Sequence, residues 1–199
     1  MTLERALAHP QVRLLADSLR EQPGVPASPQ GIGVWAAIAV IIRAQDENAE
    51  MLFIRRVERA DDRWSGQIAF PGGREDPSDG SLERTAVRET WEEVGVDLAA
   101  SAQCIGALDD VAPRTPVLPP IAVRPFVFAA PSELPLQLSH EVADAFWIPV
   151  DALSDNALRV ETDVSTPAGS LRVPAIVHAD RVIWGMTYRA IEQIIERLE

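Results

Sequence analysis

The chain has 199 residues, of which 47% are apolar and 24% charged. This is an ordinary globular balance that sets aside a disordered, collagenous or coiled-coil chain and points to one domain. Acidic residues outnumber basic ones 30 to 18, for a net charge of −12, which disfavours duplex nucleic acid as a partner. All the basic residues are arginine, so neither a Schiff-base lysine nor a P-loop lysine is available.

The lone cysteine, Cys104, permits no internal disulfide and no cysteine-rich zinc site. No apolar run is long enough for a membrane span, and the first ten residues lack a basic segment followed by an apolar core. The expectation is therefore a cytoplasmic protein without a membrane partner.

Residues 2–20 carry leucines at helical spacing, interrupted at His9-Pro10, which predicts two short pieces. Residues 21–33 hold three prolines and three glycines and read as a connection. Residues 34–42 are an apolar, β-branched run that predicts a buried strand. A polar turn over 45–50 leads to a returning strand over 51–57, and 58–66 reads as a charged loop. A short strand over 67–70 ends at Pro71-Gly72-Gly73. The clearest helix runs over 81–94, with Ser81 able to cap it and Gly95 able to close it.

Strands are expected over 104–109 and 117–130, about a proline-rich stretch over 113–120, and again over 144–149. A turn or short helix follows over 150–154. Residues 171–177 and 181–184 predict a hairpin around His178-Ala179-Asp180, and 187–198 a closing amphipathic helix. The alternation implies a mixed α/β domain.

Chemistry concentrates in residues 70–96, FPGGREDPSDGSLERTAVRETWEEVGV. On a helix Glu89, Glu92 and Glu93 stand at i, i+3 and i+4 and crowd one face. Each like-charge pair costs an isolated helix about 0.2–0.5 kcal/mol. A solvated acidic face is the ordinary reading. Two features favour a metal site instead. The cluster lies in the C-terminal half, where the helix dipole disfavours negative charge, and a Pro-Gly-Gly turn before the helix lets bare backbone approach a ligand. A hard cation such as Mg²⁺ takes oxygen ligands and would relieve the repulsion.

The same stretch resembles the Nudix box, the signature of the Nudix hydrolase family: G, five residues, E, seven residues, R-E-U-x-E-E-x-G-U, with U a bulky aliphatic residue. Arg88, Glu89, Glu92, Glu93, Gly95 and Val96 match the second half position by position. Thr90 stands where an aliphatic residue is usual. Gly73 to Arg88 is one residue longer than the box, and Asp79 takes the place nearest its early glutamate.

The resemblance implies a Nudix fold of the α/β class, an α/β/α sandwich around a mixed β-sheet in which the box forms a loop-helix-loop. It would span residues 1–199 as a single domain, with 1–30 an N-terminal helical segment and linker and 186–199 the closing helix. It implies attack of water on a phosphorus of a diphosphate, with Mg²⁺ or Mn²⁺ as cofactor. By the family pattern Glu92 and Glu93 are metal ligands, and Glu89 is a ligand or the general base. Arg88 holds the glutamates by ion pairing, an i, i+4 bond to Glu92 being the simplest form. The Gly72 carbonyl is an extra ligand and Gly73 lies against substrate, while Arg74 is either a solvated charge or a phosphate contact.

Within the family, Gly66 and Phe70-Pro71-Gly72-Gly73 resemble the G-x-x-x-F-P-G-G element of the coenzyme A pyrophosphatase branch. Arg63 is one position from that branch's arginine, and residues 52–56, LFIRR, loosely echo its LLT-x-R-S element. Residues 141–149 and 183–187 also look like this branch. The implied partner is a small-molecule nucleoside diphosphate derivative, coenzyme A or a thioester cleaved to 3′-phospho-AMP and 4′-phosphopantetheine. Another derivative is the alternative: a sugar nucleotide, a dinucleotide or a nucleoside triphosphate.

A nucleotide-sensing Nudix-fold protein without catalysis is disfavoured by the intact Glu92 and Glu93. A nucleic-acid decapping enzyme is disfavoured by the charge of −12. A homodimer is left open.

Arg55, Arg56, Arg59 and Arg63 are either a solvated face or a phosphate-binding set, because arginine forks bind phosphate bidentately. Glu141 is either an exposed charge or a late carboxylate reaching the metals, with Glu133 a weaker rival. Asp109-Asp110 ends a strand, Trp147 and Trp184 read as core, and Trp64 sits in a loop where it can stack on a base. His9, His140 and His178 share no ligand spacing.

Overall fold

The computed structural model describes residues 2–45, 47–59, 65–113, 120–166 and 169–199. Helix α1 (Leu3–Ala8) is capped by the Thr2 hydroxyl, which accepts from the Arg5 N–H. Pro10 opens α2 (Pro10–Glu21), so the His9-Pro10 pair divides one amphipathic stretch in two. Strands β1 (Val34–Gln45) and β2 (Asn48–Arg56) form a hairpin, followed by β3 (Ile68–Ala69), β4 (Gly72–Arg74) and α3 (Leu82–Val94). Then come α4 (Leu98–Ser101), β5 (Gln103–Ala107), β6 (Ile121–Ala130), β7 (Val142–Pro149), α5 (Val150–Ser154) and a single 3₁₀ turn over Asn156–Leu158. Strands β8 (Arg159–Thr166), β9 (Gly169–His178) and β10 (Arg181–Trp184) lead into α6 (Gly185–Leu198).

A seven-stranded sheet runs β3-β2-β1-β6-β5, with β4 also paired to β1 and β7 to β2. It is mixed, since β1 runs parallel to β6 and antiparallel to β2 and β4. Side chains alternate across β1 and serve two cores. Val40 and Ile42 join Met51, Phe53, Leu15, Leu19, Ile191 and Ile194 under α2 and α6. Ala39 and Ile41 join Leu52, Ile54, Ala86 and Val94 under α3. Burial on both faces is why β1 reads as an unbroken apolar run. The result is the α/β/α sandwich expected of a Nudix fold. The second sheet, β10-β9-β8, is antiparallel throughout.

Some elements differ from expectation. Residues 72–74 form a strand rather than the end of a turn, because the glycines let β4 press onto β1. A Cβ on Gly72 would stand 2.3 Å from the Ala37 carbonyl oxygen. No element was expected over 159–166, yet β8 pairs with β9 along its whole length. The expected hairpin of β9 and β10 is present, with His178 facing Arg181. Strand β6 begins at Ile121; residues 117–119 of the expected 117–130 strand lie outside the described residues. Helix α4 was not anticipated. Among the described residues, no helix is long and apolar enough to cross a membrane.

Candidate active site

Helix α3 starts where the Ser81 hydroxyl accepts from the Arg84 N–H and stops where Gly95 turns left-handed at φ +70°. These two stops set which turn of the helix meets β4, and that turn carries the glutamates. Glu93 is buried, with 4% of its side chain exposed. The Gly72 N–H donates to Glu93 Oε2 at 2.9 Å, and Arg56 Nη1 lies 3.5 Å from Oε1. Burial pushes the Glu93 carboxyl up to about 7, against the opposing pull of Gly72 and Arg56, while Glu89 and Glu141 add repulsion.

Glu89 lies against the next glycine. A Cβ on Gly73 would come within 2.4 Å of its carboxyl carbon, so a side chain there would displace the Glu89 carboxylate. Burial raises the Glu89 carboxyl as well, although the Arg88 hydrogen bond opposes it. Glu92 is the exposed member of the three, with 53% of its side chain open to solvent.

Arg88 ties these groups together. Its Nη1 donates to Glu89 Oε1 at 2.8 Å and to Glu92 Oε2 at 3.0 Å, the i, i+4 bond. Its Nη2 donates to the Arg74 carbonyl at 3.0 Å. Its other edge grips Asp79 bidentately, Nε to Oδ1 at 2.8 Å and Nη2 to Oδ2 at 3.0 Å. Asp79 is buried and also accepts from the Thr85 hydroxyl at 2.8 Å and the Asp76 N–H at 3.0 Å. The Arg88 hydrogen bond leads in holding its carboxyl well below the usual carboxylate range. Asp79 thus orients the arginine.

Asp79→Ala should lower unfolding stability by on the order of 2–3 kcal/mol, the worth of charge-assisted bonds to a buried carboxylate. It should lower activity too, as Arg88 swings free of Glu89. Urea unfolding checks the first effect, and unchanged stability would contradict this network.

The remaining expected residues divide. Glu141 sits just before β7, its carbonyl accepting from the Val57 N–H at 2.9 Å. Its carboxylate is half-exposed, lies 3.5 Å from Arg59 Nη1, and is close enough to Glu93 to repel it. Arg56 faces Glu93, whereas its neighbour Arg55 is exposed and lines a separate cleft. Pairing with β7 shifts register between these two residues. The Arg74 side chain is exposed. Arg63 and Trp64 lie outside the described residues.

The donors here are oxygens, the set a hard divalent cation takes, and the mutual repulsion of Glu89, Glu92, Glu93 and Glu141 suits a cation. Among the described residues, no three acidic, histidine or cysteine side chains stand close enough together to hold one ion as placed. Arg88 draws Glu89 and Glu92 to itself, and Gly72 and Arg56 draw Glu93. Gly72, expected as a carbonyl ligand, is seen to orient Glu93 through its N–H. The position of Asp79 nearest the early glutamate was legible in sequence; its grip on Arg88 was not.

The NUDIX domain family model matches residues 34–167. The Nudix hydrolase NudL of Yersinia pestis (strain Pestoides F) is 30% identical over 164 residues, which cover 82% of this chain and 79% of that protein. Protein C14C4.10c of Schizosaccharomyces pombe is 39% identical over 121 residues, 58% of this chain but only 37% of that longer protein. Among solved structures, the NUDIX domain of Shewanella oneidensis NrtR, complexed with ADP ribose, matches at a TM-score of 0.52 and 19% identity. That match covers 92% of this chain and 98% of the other and is a likeness of fold. The family match runs from β1 into the end of β8 and encloses the helix on which Arg88 gathers its carboxylates: the chain belongs to the NUDIX domain family, a family of pyrophosphohydrolases.

Proposed function

We propose that this chain hydrolyses the diphosphate linkage of a nucleoside diphosphate derivative, coenzyme A or one of its thioesters, to 3′-phospho-AMP and 4′-phosphopantetheine. The observation that carries the reading is the packing of Glu89 and Glu93 against Gly73 and Gly72, where buried carboxylates repel one another beside backbone stripped of side chains. Nudix hydrolases generally use divalent metal ions, and Glu89, Glu92 and Glu93 are the residues that would hold Mg²⁺ or Mn²⁺ here. Such an ion neutralises phosphate oxygens and acidifies water.

The protein's own groups do the rest. Arg88, anchored by Asp79, fixes the directions of Glu89 and Glu92. Gly72 and Gly73, without side chains, let β4 lie against β1 and the Glu89 carboxylate. Glu89, its carboxyl raised by burial, accepts the proton of the attacking water. The repulsion between Glu141 and Glu93 supports reading Glu141 as the late carboxylate that reaches the metals. The lone cysteine suits a reducing, cytoplasmic setting.

Coenzyme A carries a 3′-phosphate, which adds roughly −1.5 to −2 charges. An acidic protein needs local arginines to hold it, and Arg55, Arg56 and Arg59 are at hand, with Arg63 near in sequence. Coenzyme A should therefore be preferred over its 3′-dephospho form in kcat/KM. Arg55→Ala should erase that preference while sparing the 3′-dephospho substrate. Equal efficiency on both forms by the wild type would contradict the coenzyme A reading. So would cleavage of a sugar nucleotide or dinucleoside polyphosphate with none of coenzyme A, which would move the protein to that alternative class.

A further inference from the structure

A cleft of about 620 Å³ opens between the end of β2, the connection to β3, and the β8–β10 sheet. The sheet buries one face, Ile176 and Ile183, in the core with Ile191 and Ile194 of α6. It turns the other toward the cleft, where Thr162 and Val164 of β8 and Val182 and Trp184 of β10 form the wall. Val182 is left 37% exposed, an apolar side chain on a wall that the described residues do not fully cover.

The facing wall carries Arg55, Arg59, Glu58 and Asp144, and Asp163 and Asp180 also line the cleft. Arg59 faces Glu141, and Arg181 at the edge faces Asp144 at 3.5 Å. Arg55 is exposed and has no carboxylate within ion-pair distance among the described residues. Asp144 stands across from it in the β2–β7 register and pairs with Arg181, which leaves the Arg55 guanidinium open to the cleft. Through Arg59 and Glu141 the cleft adjoins the carboxylates of α3.

An indole and β-branched wall opposite an exposed guanidinium suits a flat aromatic ring joined to an anionic group. We infer that this cleft holds the nucleoside half of the substrate. The base lies against Trp184 and Val182, and a phosphate on the ribose meets Arg55. The inference rests on the hydrolase reading and adds to it that the second sheet, whose β9 and β10 lie beyond the family match, sets specificity.

The test is calorimetric binding of 5′-AMP, ribose 5-phosphate and 4′-phosphopantetheine to the wild type and to Trp184→Ala, Trp184→Phe and Val182→Trp. Loss of one base-stacking partner should weaken 5′-AMP by about tenfold in Trp184→Ala, and Trp184→Phe should recover most of that. Val182→Trp, at an exposed position that tolerates bulk, should also weaken 5′-AMP by filling the cleft. Ribose 5-phosphate, which has no base, should bind all four proteins alike.

Unchanged 5′-AMP affinity in both Trp184→Ala and Val182→Trp would overturn the inference. Weakened 4′-phosphopantetheine with unchanged 5′-AMP would overturn it as well, by putting the other half of the substrate in the cleft. The hydrolase reading fails separately, on an absence of anhydride cleavage by a protein that still binds 5′-AMP as described.

Discussion

Glu93→Gln should lower turnover by at least about 10²-fold, in line with losing an electrostatic contact at the reacting centre. The substitution keeps the volume, and the amide oxygen can still accept from the Gly72 N–H, so β4 should stay in place. The charge offered to a metal is removed. Stability should move the other way in metal-free protein. The folded carboxyl titrates at about 7 against an ordinary value of 4.5. Between those values the folded state keeps a proton that the unfolded chain releases. Stability is therefore fully present below about pH 4.5 and declines as pH rises to about 7, a cost on the order of 3 kcal/mol. Glutamine escapes that decline, less whatever Arg56 loses as its partner becomes neutral. The metal-free variant should melt at or above the wild type at pH 8, with the gap closing at pH 5. A variant with near wild-type turnover would place the metal elsewhere.

Excess chelator should abolish activity, and Mg²⁺ or Mn²⁺ should restore it. The reasoning is electrostatic. A diphosphate and an attacking hydroxide are both anionic, and the chain has no lysine to set between them. The arginine nearest the carboxylates is already taken, since Arg88 spends its donors on Asp79, Glu89, Glu92 and the Arg74 carbonyl. Removing the ion leaves three clustered carboxylates facing an anionic substrate. The same metals should raise the melting temperature of the wild type more than that of Glu93→Gln, because an ion that binds only the folded state stabilises it. Full turnover in excess chelator would contradict the metal mechanism.

Much of the site could be read from the chain because its signals are local. Ser81 and Gly95 bound α3 by capping chemistry that lies within a turn of each end. The i, i+3, i+4 spacing puts Glu89, Glu92 and Glu93 together whatever the rest of the fold does. What could not be read depends on distant partners. Strand β8 alternates Val160, Thr162 and Val164 with Arg159, Glu161 and Asp163. That is a strand's period in a segment polar enough to pass for a loop, and its hydrogen bonds come from β9. Gly72 and Gly73 suggest a turn until β1 is there to pair with them. Asp79 reaches Arg88 across nine positions and one extra residue of linker. The cleft brings Arg55 to Thr162 and Trp184, each more than 100 residues further along the chain, and no spacing in the sequence announces it.

The most direct measurement is a panel of diphosphate substrates incubated with the protein and Mg²⁺ or Mn²⁺, with products resolved by chromatography. The panel comprises coenzyme A, its 3′-dephospho form, a sugar nucleotide and a dinucleoside polyphosphate. The expected result is cleavage at the diphosphate, coenzyme A yielding 3′-phospho-AMP and 4′-phosphopantetheine in equal amounts and faster than the rest, with Glu93→Gln inactive on every substrate. An intact panel after prolonged incubation with either metal, or equal cleavage by wild type and Glu93→Gln, would contradict the assignment of α3 and β4 as the hydrolytic centre.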